Sequence, residues 1–331
     1  MKKILLIATG GTIASEDAGQ GLAPKLSPES LLANVPEIKE FCRVEAVQPF
    51  YLDSTNMRPE HWLTLAGEIE RSFDEFDGFV VCHGTDTMAY TSAALSYLIQ
   101  GSEKPVVITG AQKPMNEQNT DAKINLADSF RFACSEEARG VSIVFGGRAI
   151  AGTRARKMRT KSYNAFSSIN FPDIAAIQDG RVVFYFHEPK EGKAPCFSRK
   201  LNPKVSLLKL IPGMGPEILE AVGARCDAVI IESYGVGGIP DGGFLHVLDR
   251  LIEEGKTIVM ATQVTHEGSD MAVYKVGNVA KERCGLLETF DMTLESAVAK
   301  MMWILGGTRE PDEIRGLFYR TVNHDILMQE G

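Results

Sequence analysis

Six short stretches of the chain are predominantly apolar: Lys3–Ala8, Phe79–Cys82, Val106–Thr109, Val141–Phe145, Ala228–Glu232 and Ile258–Thr262. Each runs four to six residues and leads into a loop rich in Gly, Thr or Ser. They do not alternate apolar with polar, which is the pattern of parallel strands covered on both faces. Helical patterns lie between them. Ser27-Pro28-Glu29 reads as an N-cap, a proline at the first helical position and a first-turn acid, ahead of a helix through Leu31–Phe41. Between Pro59 and Phe76, the residues Trp62, Leu65, Ala66, Ile69 and Phe73 recur at helical spacing and make one face. Ala89–Ile99 and Asp121–Cys134 also read as helices. Strands alternating with helices predict an α/β sheet with right-handed crossovers.

One stretch breaks this rhythm. Glu188–Lys204 is polar, contains three prolines and carries neither period. It predicts a larger N-terminal α/β domain over 1–190, a linker over 191–207 and a smaller C-terminal α/β domain over 208–331. The expected fold class is therefore α/β: a larger parallel or mixed sheet with helices on both faces, plus a second, smaller α/β domain. The length of 331 residues fits two cores better than one.

Composition narrows the partners. The chain is 44% hydrophobic and 24% charged, with a net charge of −8 and no basic face in evidence. Nucleic acid and acidic membranes are not expected partners. Lys2 and Lys3 ahead of Ile4–Ala8 resemble the start of a signal peptide, but the apolar stretch stops at Gly10. A signal core needs about 7–15 apolar residues, so a buried first strand and a cytoplasmic location are expected. No later segment reaches the roughly 18 apolar residues of a membrane helix. The six cysteines, Cys42, Cys82, Cys134, Cys196, Cys226 and Cys284, form no C-x-x-C pair and read mostly as reduced core thiols. The six histidines do not cluster, so no zinc site is expected.

The chemistry concentrates in two loops that echo each other after apolar strands: Thr9-Gly10-Gly11-Thr12-Ile13-Ala14 and His83-Gly84-Thr85-Asp86-Thr87-Met88-Ala89. In an open parallel sheet, ligands bind beyond the carboxyl ends of the strands. Glycines at 10 and 11 let backbone N–H groups approach a substrate and stabilise an oxyanion. A threonine beside them becomes a nucleophile if a neighbour takes its proton. Thr85 and Asp86 pair a hydroxyl with a carboxylate, which suits proton transfer or ammonium binding. By themselves, the first loop equally describes a capped turn and Asp86 equally describes a helix cap. No Walker loop and no G-x-S-x-G elbow is present, and Gly235–Gly243 lacks dinucleotide spacing.

These residues, together with three further segments, resemble the bacterial-type L-asparaginases, particularly their cytoplasmic type I branch. The further segments are Leu52-Asp53-Ser54-Thr55-Asn56-Met57, Gly152-Thr153-Arg154-Ala155-Arg156-Lys157 and Glu232-Ser233-Tyr234-Gly235-Val236-Gly237. All five motifs fall in the family's order over nearly the whole chain. The resemblance implies that Thr12 attacks an amide carbon and forms an acyl-enzyme ester. It makes Thr85, Asp86 and Lys157 a polar relay, with Lys157 rather than the nearby Lys161 as its lysine. It gives the α-ammonium of the substrate to Asp86 and Asp53, and the α-carboxylate to Ser54 and Thr55. The backbone at Gly11 and around Ala111-Gln112 would contact the side-chain amide. The implied substrate is L-asparagine, no cofactor is needed, and a homodimer or homotetramer is expected.

The chain also departs from the family. The loop Ser15–Lys25 holds Gly19, Gly21 and Pro24, which suit a lid, but lacks the tyrosine that helps activate the nucleophile in many members. Gly238 stands where relatives commonly carry an asparagine, so no cross-subunit contact is carried over for it. Arg156 and Val264 differ from a member under asparagine control, and no such control is expected. Other readings are a broader glutaminase-asparaginase, an ammonia-supplying amidotransferase subunit, and a non-catalytic sensor of asparagine or aspartate. The amidotransferase subunit usually has an extra N-terminal domain and works on tRNA, which the early first strand and the acidic charge disfavour. Thr12, Thr85, Asp86 and Lys157 together disfavour the sensor, which has no need of a nucleophile.

Overall fold

The computed structural model describes residues 1–17, 22–24, 26–188, 192–240, 242–273 and 285–328. The chain divides into two compact units, Met1–Arg199 and Lys200–Gly331. Among the described residues, no helix is long and apolar enough to cross a membrane.

The first unit is built on one eight-stranded sheet. Its strands are β1 (Lys2–Ala8), β2 (Cys42–Val47), β3 (Gly78–Cys82), β4 (Pro105–Thr109), β5 (Gly140–Phe145), β6 (Arg148–Ala151), β7 (Ala175–Gln178) and β8 (Arg181–Phe184), in the spatial order β8-β7-β6-β5-β4-β3-β1-β2. Strands β1 to β5 pair in parallel, and β6, β7 and β8 are added antiparallel. The sheet is thus mixed, as expected. Its parallel part has the order 2-1-3-4-5, so the direction of winding reverses between β1 and β3. That switch point opens a crevice at the carboxyl ends of those two strands.

The apolar runs are explained by burial on both faces. On β1, Ile4 and Leu6 join one core with Leu31, Ile38, Leu126 and Phe130. Leu5 and Ile7, which point the other way, are 2% and 0% exposed. The helices α1 (Pro28–Ala33), α2 (Ile38–Phe41), α3 (Pro59–Ser72), α4 (Met88–Leu98) and α5 (Ala122–Ala133) supply the cover. Ser27 caps α1 by accepting from the Ser30 amide at 3.3 Å. The single helix expected through Leu31–Phe41 is two short ones. Pro36 causes the break: it has no N–H to give and pushes the residue before it out of helical geometry. On α3, the spacing holds, and Trp62, Leu65, Ala66 and Ile69 are buried.

The boundary between units falls within the 191–207 stretch. Cys196–Phe197 there forms a two-residue strand, antiparallel to Ile99–Gln100. Arg199 closes the unit with an ion pair to Glu70 at 2.7 Å. Two residues are too few to show a period in the sequence.

The second unit has four parallel strands in sequential order: β9 (Val205–Lys209), β10 (Ala228–Ser233), β11 (Thr257–Thr262) and β12 (Leu287–Glu288). Its helices among the described residues are α6 (Pro216–Gly223), α7 (Phe244–Glu253), α8 (Leu294–Gly307) and α9 (Pro311–Tyr319). On α7, Phe244, Val247, Leu248 and Leu251 face the core. Lys300 on α8 is fully buried, paired at 2.6 Å with an equally buried Asp325, and donates to the Arg320 carbonyl at 2.8 Å. Burial pulls its pKa below the ordinary lysine value against the opposing pull of Asp325. The Glu232–Gly237 motif ends β10 in a tight turn, in which the amides of Gly237 and Gly238 both donate to the Tyr234 carbonyl.

Candidate active site

Three loops interlock at the switch point. The chain after β1 and the chain at Leu52 continue the sheet pairing for one more step: the Leu52 amide donates to Thr9 O at 3.0 Å, and the Gly11 amide donates to Leu52 O at 3.2 Å. The loop after β3 lies directly against both. A Cβ on Gly11 would sit 2.4 Å from the Gly84 amide nitrogen, and a Cβ on Gly84 would sit 2.5 Å from Ser54 Oγ. Only glycine allows this approach, and Gly11 also has φ +78°, in the left-handed region. Thr87 Oγ1 ties the third loop to the second by donating to Ser54 O at 2.8 Å.

Thr12 follows Gly11 and opens a short turn, Thr12–Ala14, whose Ile13 and Ala14 are buried. The threonine itself is half-buried. Ser15 Oγ donates to Gly11 O at 2.8 Å and steadies the turn. Gly19 and Gly21, which suggested a lid, lie outside the described residues; Pro24 lies in a short strand, Leu22–Pro24.

Thr85, Asp86 and Lys157 come together. Lys157 Nζ donates to Thr85 Oγ1 at 2.7 Å and to Asp86 Oδ1 at 2.6 Å. Lys157 ends a short strand, Ala155–Lys157, that pairs with Phe166–Ser168 and aims it at the β3 loop. Thr85 is 6% exposed, whereas the Asp86 side chain is 59% exposed and open to a ligand. Lys161 lies exposed.

The Asp53–Asn56 segment forms an Asx turn. Asp53 Oδ1 accepts from the Thr55 amide at 2.9 Å and from Thr55 Oγ1 at 3.0 Å. Asp53 and Thr55 are exposed, while Ser54 is buried against Gly84. Ala111, just beyond β4, is fully buried.

Sequence reasoning missed two contributors. The first is the Gln112 side chain, of which only the backbone was expected to matter. Its Oε1 accepts from Thr85 Oγ1 at 3.3 Å, and its Nε2 donates to Ser162 O at 3.2 Å. No local pattern marked it, since Gln112 lies three residues beyond the Val106–Thr109 run. The second is a buried chain behind the β3 loop. Trp62 Nε1 donates to Thr91 Oγ1 at 2.9 Å, Thr91 donates to His83 Nε2 at 2.9 Å, and His83 Nδ1 donates to Gly84 O at 2.6 Å. Burial pushes the His83 pKa down to about 4, so the ring is neutral near pH 7, as this donor pattern requires. Among the described residues, no group of three or more His, Cys, Asp or Glu is placed to hold a metal ion.

A doubly wound sheet whose switch point carries a Gly-Gly-Thr turn, a second hydroxyl, two carboxylates and one lysine matches a known protein class. Residues 3–190 fit the family model described as asparaginase, N-terminal, and residues 204–318 fit the glutaminase/asparaginase C-terminal domain. The chain belongs to the asparaginase family. It is 40% identical to the L-asparaginase of Thermococcus kodakarensis, over 98% of this chain and 99% of that one. The solved structure of that enzyme superimposes with a TM-score of 0.93 at 38% identity, covering 99% of this chain and all of that one. The "probable cytoplasmic L-asparaginase" of Campylobacter jejuni matches with a TM-score of 0.83 at 28% identity, over 96% and 99% of the two chains. A subunit of the glutamyl-tRNA(Gln) amidotransferase of Pyrococcus abyssi is 35% identical over 95% of this chain and 74% of its own length.

Proposed function

We propose that the protein hydrolyses L-asparagine to L-aspartate and ammonia through an ester on Thr12. The observation that carries this reading is the Lys157–Thr85–Asp86 cluster, on a loop in direct contact with the turn that bears Thr12. Thr12 Oγ attacks the amide carbon as its proton passes to Thr85, Thr85 passes its own toward Lys157, and Lys157 passes one to the Asp86 carboxylate. The C–N bond then breaks, the relay runs back to deliver a proton to the leaving nitrogen, and ammonia departs. Water repeats the cycle on the ester and frees aspartate. The Lys157 ammonium favours any negative charge that develops on Thr85. The Gly11 amide is held by Leu52 O, so the developing oxyanion falls to the Ala111 amide, which makes no hydrogen bond among the described residues.

Asp86 and the second carboxylate oxygen of Asp53 hold the α-ammonium, and Ser54 holds the α-carboxylate. Thr55 acts by fixing Asp53, because its hydroxyl and its amide both go to Asp53 Oδ1. The protein works in the cytoplasm, a reading supported by the name of the Campylobacter relative, and as a homodimer or homotetramer, a reading supported by the sequence resemblance.

Similarity to an amidotransferase subunit keeps glutamine in view as a second substrate. The test is ammonia release from asparagine and from glutamine by the purified protein. Turnover of asparagine with a clearly higher kcat/KM supports the proposal. Equal values mean a broader glutaminase-asparaginase. No turnover with aspartate still bound means a sensor.

A further inference from the structure

Asp121 stands just before α5 and is 5% exposed. Its carboxylate accepts from the Gln112 amide at 3.0 Å and from the Lys113 amide at 3.1 Å. Asn125 Nδ2, one turn further along, donates to the same carboxylate at 3.1 Å and to Gly110 O at 3.0 Å. Asn125 Oδ1 accepts from the Gly146 amide at 2.9 Å, beyond β5. Thr120 Oγ1 donates to Lys113 O at 3.1 Å. The start of α5 thus grips the Gly110–Lys113 loop on both sides of Ala111. Ala111 is fully buried, yet among the described residues its own amide and carbonyl have no hydrogen bond. A buried, unpartnered peptide group is expected to find a ligand.

We propose that Asp121 is a positioning residue for amide turnover, setting where the Ala111 peptide and the Gln112 side chain meet the reacting groups. The proposal rests on the asparaginase reading. Asp121 touches no substrate. It fixes the Gln112 amide, and with it the side chain whose Oε1 accepts a hydrogen bond from the Thr85 hydroxyl. That bond orients Thr85 Oγ1, already an acceptor for Lys157, and leaves it one further lone pair to accept a hydrogen bond. A carboxylate is required here. Three N–H donors converge on it, and an Asn would have to turn its own NH₂ toward one of them.

Asp121→Asn keeps size and shape and breaks this pairing. It is expected to lower kcat for asparagine about ten-fold or more, because small displacements of catalytic groups are costly. KM and the dissociation constant of L-aspartate stay within about two-fold, because the amino-acid end is held by other loops. Hydrogen exchange at the Gln112 and Lys113 amides speeds up by about ten-fold or more. Unchanged kcat and exchange in a folded variant overturn the proposal. So does a variant that melts lower with kcat unchanged, which marks a merely structural role. If Asp121→Asn does not fold, Thr120→Val decides. It loosens the same loop and lowers kcat at constant KM if the proposal holds, and leaves kcat unchanged if it does not. A wild-type protein that releases no ammonia overturns the asparaginase reading instead, and amide exchange then still tests the grip of Asp121.

Discussion

Lys157 Nζ lies 2.7 Å from Thr85 Oγ1, although the two residues stand 72 positions apart. The lysine ends a strand of a two-stranded sheet and the threonine follows a buried strand of the eight-stranded one, so the packing of two separate sheets brings them together. A hydroxyl that accepts a bond from an ammonium passes its proton on more readily than a free one.

This contact predicts non-additive kinetics. Thr85→Val and Lys157→Met each lower kcat about 10²-fold or more. The double variant is little worse than either single one, because the two act as a unit. Single-turnover and steady-state ammonia release on the four proteins measure this. Additive losses would separate their roles.

The approach of Gly84 to Ser54 predicts a stability coupling. Gly84→Ala drives a methyl group to 2.5 Å from Ser54 Oγ, so it is expected to destabilise by about 1–3 kcal/mol. Ser54→Gly removes the obstructing atoms and recovers part of that loss. A double-mutant cycle in urea reads the coupling, and independent effects would contradict the clash.

His83 predicts a pH dependence of stability. Its pKa is about 4 in the folded chain against an ordinary 6.5. Between those values the unfolded chain binds more protons, so stability rises with pH. The contribution is fully present above pH 6.5 and is lost as pH falls through about 4. Its size is about 3 kcal/mol, since each ten-fold change in proton affinity is worth about 1.4 kcal/mol. Urea unfolding of wild type and His83→Asn from pH 7 to pH 4 is the check, with the steeper decline expected in wild type.

The Lys300–Asp325 pair predicts an asymmetry between breaking a buried ion pair and replacing it. Asp325→Ala leaves a fully buried ammonium without its partner, at an expected cost of about 3–5 kcal/mol. Replacing both residues by apolar ones of similar volume costs much less. Thermal or urea unfolding of the three proteins tests this.

The strands were legible because burial on both faces leaves an uninterrupted apolar run, as Phe79–Cys82 shows with every residue at 0% exposure. The motif loops were legible because glycine and hydroxyl residues follow those runs. What escaped was whatever depends on two distant segments meeting. Gln112 reaches Thr85 from 27 positions away, and Trp62 reaches Thr91 from 29. Neither side chain has a local pattern that marks its partner. Asp53 shows a different limit: one sequence fits a turn and a binding loop, and the geometry is that of the turn, with a carboxylate oxygen to spare. The break at Pro36 was readable from backbone chemistry, but the apolar pattern on either side masked it.

The central claim is that Thr12 is the nucleophile. Its most direct test is steady-state ammonia release from L-asparagine by Thr12→Ala, compared with wild type at equal folded concentration. The predicted result is a loss of turnover by about 10³-fold or more, with L-aspartate still bound. Turnover near the wild-type rate would contradict the claim.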